Sequence, residues 1–99
     1  DVSEALNTVF HNGAKHVVLT AGEHGLLGAT AKQSFRKRAV RPTQFVNVNG
    51  AGDCLAAAFI VAILRGLDFE SALQKGLEAA ALSIASQEAV PASLSQLFQ

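Results

Sequence analysis

The chain alternates short apolar runs with two long helix-like segments, and glycine, asparagine or proline marks each change of pattern. Ala5, Leu6, Val9 and Phe10 recur at helical spacing, which predicts a helix capped at Ser3 and stopped at Asn12-Gly13. Val17 to Thr20 is a continuous apolar run, the pattern of a strand buried on both faces. Residues 21–25 read as a turn, Leu26 to Ala29 as a second strand and Ser34 to Val40 as a third, with Pro42 arguing against a central strand there. Phe45 to Val48 predicts a short strand leading into a glycine loop. Apolar residues run nearly all round from Asp53 to Arg65, so a buried helix ending at Gly66 is expected. Phe69 to Ser86 predicts a second, alanine-rich helix with Leu73, Leu77, Ala80, Ala81 and Ile84 facing inward. Pro91 breaks that helix, and Leu94 to Phe98 is expected to add a short turn. Strands alternating with helices imply an α/β layer fold, a single unit over residues 1–99.

Composition narrows the function classes. With 49% hydrophobic and 16% charged residues, the chain has the make-up of a folded domain, not a disordered tail. Eight basic and eight acidic side chains cancel, which argues against a generic binder of nucleic acid or anionic membrane. Lys32, Arg36, Lys37, Arg38 and Arg41 hold five of the eight basic residues; a solvated strand edge is the favoured reading of that cluster. The single cysteine, Cys54, has no partner for an internal disulfide, so a reducing, intracellular and cytoplasmic setting is expected. No apolar run is long enough to span a bilayer, and no secretory leader is read. The chain opens inside a helix pattern, which reads as a cut.

The segment with the most chemistry is Asn47-Val48-Asn49-Gly50-Ala51-Gly52-Asp53, directly before an apolar helix. Two glycines one residue apart allow a tight turn and close approach to a ligand. The helix behind them points unpaired N–H groups forward, and its dipole favours an anion such as phosphate. Asp53 adds a carboxylate at the same place. An anion cradle beside a proton acceptor is what phosphoryl transfer to a hydroxyl requires. Taken alone, Asp53 also reads as a helix N-cap and the glycines as an ordinary loop.

Asn47 to Ile60, N-V-N-G-A-G-D-C-L-A-A-A-F-I, resembles the carboxy-terminal signature of the ribokinase-like (PfkB) family of carbohydrate and nucleoside kinases, usually D-T-x-G-A-G-D followed by small and apolar residues. Val17 to Gly25, V-V-L-T-A-G-E-H-G, is similar to the family's strand and turn with T-x-G-x-x-G, and the alanine-rich helix around Ala79-Ala80-Ala81 fits as well. Within the family, N-V-N-G-A-G-D and the following C-L-A-A-A look most like eukaryotic pseudouridine kinases.

The resemblance implies a three-layer ribokinase-like fold, of which this chain is the carboxy-terminal, ATP-binding part with a partial sheet between helices. It implies an ATP- and Mg²⁺-dependent kinase acting on the primary (5′) hydroxyl of a ribose-like sugar or nucleoside, with pseudouridine preferred. Asp53 matches the family's catalytic base, and Gly50, Ala51 and Gly52 its anion hole. Thr20, Gly22 and Gly25 match the nucleotide turn. Gly76, Ala79 and Ala80 match the adenine wall, although tight helix packing explains small residues there equally well. Asn47 stands where aspartate is usual, beside a monovalent-cation site in relatives, which puts activation by K⁺ in doubt. The implied partners are a small sugar or nucleoside and the amino-terminal part of the same kinase, with self-association of the isolated piece expected. The isolated piece is expected to be inactive. The rival readings are a non-catalytic nucleotide-binding fragment and a structural or partner-binding domain that retains the kinase fold.

Overall fold

The computed structural model describes residues 2–46, 49–86 and 97–98. Three strands, β1 (His16–Thr20), β2 (Leu26–Thr30) and β3 (Ser34–Lys37), form an antiparallel sheet in the order β1-β2-β3. Helix α1 (Val2–His11) precedes the sheet and contacts β1. Helices α2 (Ala51–Leu64) and α3 (Phe69–Ile84) follow it and pack against each other.

The register explains how the layers meet. Val18 pairs with Gly28, and Gly28 with Phe35, so these three residues form one row across the sheet. Leu26 lies on the same face two residues away, as strand alternation requires. This face packs on α3: Leu26, Leu55, Leu73 and Leu77 are the buried core, with Val18, Phe35, Val40, Phe59 and Phe69 against it. Each fully buried leucine contributes roughly 1.5–3 kcal/mol. Phe69 opens α3 and makes edge contacts with Phe35 and Phe59, at ring-centroid distances of 6.1 and 5.8 Å. Lys37 Nζ reaches Glu70 Oε2 at 3.1 Å, closing the same interface at the sheet edge. Ala29, on the opposite face, is buried too.

Glycine sets two of the distances. A Cβ on Gly28 would stand 2.5 Å from Leu73 Cδ1 and 3.2 Å from Phe69 Cζ, so β2 and α3 approach as closely as they do only without a side chain there. A Cβ on Gly76 would stand 3.0 Å from the Leu55 carbonyl oxygen, which sets the approach of α3 to α2. The turn between these helices is a Schellman motif: Gly66 (φ +91°) donates to the Ile63 carbonyl at 3.0 Å and Leu67 to the Ala62 carbonyl at 3.0 Å. Asp68 caps α3 by accepting the Ser71 N–H at 2.7 Å. That bond, chiefly, holds its carboxyl below its ordinary value of 3.8.

Several expectations change. β1 is half-exposed, not buried on both faces, because it is an edge strand paired only with β2 among the described residues. α2 is not buried all round: Ile60, Val61, Ile63 and Leu64 are exposed, Leu64 by 81%, because only one side of the helix meets α3 and the sheet. Ser3 lies within α1 and does not cap it. β3 ends at Lys37, before Val40. Phe45 and Val46 are not in a strand; this segment is tied to the end of α3, with the Val46 N–H on the Ile84 carbonyl at 2.9 Å and Gln44 Nε2 on the Ala85 carbonyl at 3.1 Å. Val48 and most of the last segment, residues 87–96, lie outside the described residues. Of the turn expected from Leu94 to Phe98, only Leu97 and Phe98 are described, and they are in a short turn.

Replacing Gly28 by alanine is expected to destabilise the fold by about 1–3 kcal/mol, read by urea denaturation, because Leu73 is fully buried and has nowhere to swing. The Asp68 cap gives a pH dependence. Its folded value is lowered, so its contribution is complete above the ordinary carboxylate value and disappears as pH falls through the folded one. Asp68→Asn keeps a side-chain acceptor and is expected to flatten the acid limb of a stability-against-pH curve; an unchanged acid limb contradicts this.

Candidate active site

The start of α2 follows from its sequence. Gly50 adopts φ +85°, the left-handed region that favours glycine, and serves as the N-cap without a side-chain cap bond. The first intrahelical donor is Cys54, whose N–H meets the Gly50 carbonyl at 2.9 Å. The amides of Ala51, Gly52 and Asp53 therefore precede the helix ladder and point out of its end. Asp53 is not the cap: it stands in the first turn and is exposed.

Facing this end is the turn between β1 and β2. A one-turn 3-10 helix, Gly22–His24, closes it, with the Ala21 N–H on the Gly25 carbonyl at 2.8 Å and the Gly25 N–H on the Gly22 carbonyl at 3.1 Å. Gly25 has φ +91°, and a Cβ there would collide with the Lys37 carbonyl oxygen, so the turn folds down onto the end of β3.

Between the two lies a cleft of about 670 Å³. Thr20, Gly22 and Gly25 line one wall, and Ala51 and Gly52 the other. Ala80, Leu77, Ile84, Leu55 and Val40 make a largely apolar floor, and Phe45 stands at its edge, 73% exposed. A polar end with free backbone amides joined to an apolar end suits a ligand with an anionic part and an apolar ring. A Cβ on Gly52 would meet no heavy atom within 4 Å, so the glycine leaves free space at the cleft wall.

Of the site residues expected from sequence, Thr20, Gly22, Gly25, Ala51, Gly52 and Ala80 line one cleft, and Gly50 and Asp53 flank it in the chain. Gly76 and Ala79 do not line it. Both are buried where α3 meets α2, Gly76 against Leu55 and Ala79 in a cluster with Cys54 and Ala58. Asn47 lies outside the described residues, and no group of metal-ligating side chains occurs among the described ones. Val40 and Phe45 were not expected at the site. They arrive through the tethered loop, which carries no local pattern that reveals its path.

The chain matches the pfkB family of carbohydrate kinases over residues 1–96. It belongs to that family. The cytidine kinase of Thermococcus kodakarensis is 35% identical over 81 residues, 81% of this chain and 29% of that protein. The 5-dehydro-2-deoxygluconokinase of Bacillus subtilis is 35% identical over 95 residues, 89% of this chain and 28% of that protein. A putative ribokinase II from E. coli, solved in complex with ATP and Mg²⁺, superposes with a TM-score of 0.87 at 26% identity, covering 97% of this chain and 32% of that one. The fold is thus the ribokinase-like α/β fold, and the chain spans less than a third of the length of these relatives.

Two glycines of the pfkB pattern are expected to separate by measurement. Gly52→Val in the full-length protein should keep the fold, since a Cβ there meets open space, and is expected to weaken binding of a non-hydrolysable ATP analogue by about tenfold or more in calorimetry, since Gly52 lines the cleft. Gly76→Ala should instead cost about 1–3 kcal/mol of stability with little selective loss of nucleotide affinity.

Proposed function

We propose that this chain is the nucleotide side of a kinase that moves the γ-phosphoryl group of Mg·ATP to the primary (5′) hydroxyl of a ribose-like sugar or nucleoside, with pseudouridine as acceptor. The observation that carries the reading is the cleft, where the turn from Thr20 to Gly25 faces the open end of α2 across an apolar floor. The adenine ring lies against that floor at Ala80, and the phosphates run toward Gly52. The amides at residues 50–52 hold the oxygens of the migrating group. Asp53 accepts the hydroxyl proton as the oxygen attacks the γ-phosphorus, the bond to the β-phosphate oxygen breaks, and ADP leaves. Positioning and backbone donors supply most of the effect, since the charge spreads over three equatorial oxygens. Magnesium neutralises charge on the phosphates when it is bound.

The pseudouridine assignment rests on the form of Asn47 to Asp53 and the small residues after it. Similarity to a cytidine kinase supports a nucleoside acceptor, and similarity to a 5-dehydro-2-deoxygluconokinase favours a sugar-type acceptor as the competitor. The chain spans under a third of its relatives, so a second reading applies to the isolated piece: it binds nucleotide without turnover, or only holds a partner. The exposed Ile60, Ile63 and Leu64 support association with the rest of the kinase or with another copy. An intracellular setting and a weakened K⁺ response, through Asn47, complete the reading.

A panel of pseudouridine, uridine, cytidine, ribose and adenosine with ATP and the full-length protein identifies the acceptor. In the same protein, Asp53→Asn is expected to lower kcat by about 10²–10⁴-fold with the KM for ATP nearly unchanged. Turnover that survives the substitution removes Asp53 as the base.

A further inference from the structure

The back of α2 carries a contact that the cleft does not use. Leu97 and Phe98 pack against the buried cluster of Cys54, Ala58 and Ala79. Arg65, the C-cap of α2, donates from one guanidinium nitrogen to the Phe98 carbonyl at 3.1 Å and sits 5.3 Å from the centroid of the Phe98 ring. The turn at 97–98 is thus joined both to the first turns of α2 and to its far end.

We propose that Leu97 and Phe98, held by Arg65, brace the first turn of α2 from behind and so position Asp53 and the neighbouring amides; this rests on the kinase reading above. Cys54 follows Asp53 directly, and its N–H makes the first bond of the helix ladder. Its side chain is 2% exposed, whereas Gly52 and Asp53 are exposed. The working groups therefore face solvent, and the support for their turn comes from the buried side. A displacement of that turn by even an ångström moves a base and three donors together. Leu97 and Phe98 act through the cluster of Cys54, Ala58 and Ala79, and Arg65 acts through Phe98; all are positioning residues that touch neither phosphate nor acceptor.

The test uses the full-length kinase with Phe98→Ala, Phe98→Tyr and Arg65→Ala, following kcat, the KM for ATP, and alkylation of Cys54 by iodoacetamide resolved by peptide mass spectrometry. Phe98→Ala is expected to lower kcat about ten- to hundredfold and leave the KM for ATP within about twofold. It should also speed alkylation of Cys54 by about tenfold as the cover opens. Phe98→Tyr keeps the ring and should restore both values. Arg65→Ala changes an exposed side chain, so it tests the same direction if Phe98→Ala fails to fold. Faster alkylation with unchanged kcat overturns the positioning role, and unchanged alkylation overturns the brace itself. Retained turnover in Asp53→Asn would instead remove Asp53 as the base, and a wild-type protein that transfers no phosphoryl group from ATP to any acceptor would sink the kinase reading, whatever the alkylation shows.

Discussion

Everything in the site hangs on how closely α2 lies against α3. Gly76 lets the Leu55 carbonyl approach to a distance that a side chain would obstruct, and Cys54, Ala58 and Ala79 are buried together at the same seam. With its body pinned there, α2 presents its N-terminal turn at the edge of the domain, not inside it. That single placement turns an ordinary helix end into one wall of a cleft. It also separates two roles that small residues share: Gly76 and Ala79 hold the helices together, while Gly52 and Ala80 leave room for a ligand.

The second wall depends on the sheet. The row Val18, Gly28 and Phe35 seats α3 on the strands, and this brings the β1–β2 turn opposite the start of α2. Gly25 then folds the turn onto β3, so Thr20 and Gly22 face the cleft. The two sequence segments that resemble a kinase signature are about thirty residues apart in the chain and meet because α2 and α3 pack together on the sheet. Their meeting gives the pfkB pattern a physical basis that spacing alone does not provide.

Much of this was legible from the chain. Local pattern located the strands around Val17 and Leu26; the helix expected from Asp53 to Arg65 runs from Ala51 to Leu64, before Gly66, and the one expected from Phe69 to Ser86 runs from Phe69 to Ile84. The glycine-aspartate segment pointed to the cleft wall that Gly52 supplies. What was not legible involved missing neighbours and long-range paths. An apolar run says that a helix needs covering on every side, but not which of its residues, such as Ile60 and Leu64, stay exposed. β1 likewise reads as a strand buried on both faces and is an edge strand among the described residues. Helical periodicity marked Leu77 and Ile84 as inward without telling core from cleft, and nothing local placed Phe45 at the site.

The central claim is that backbone amides at the start of α2 hold the migrating phosphoryl group while Asp53 takes the proton. A structure of the full-length protein with a non-hydrolysable ATP analogue and the proposed acceptor tests this most directly. The account predicts terminal phosphate oxygens within about 3 Å of the amides at residues 50–52, and an Asp53 carboxylate oxygen about 2.6–3.2 Å from the acceptor hydroxyl. A triphosphate bound away from Gly52, or an acceptor hydroxyl out of reach of Asp53, would contradict it.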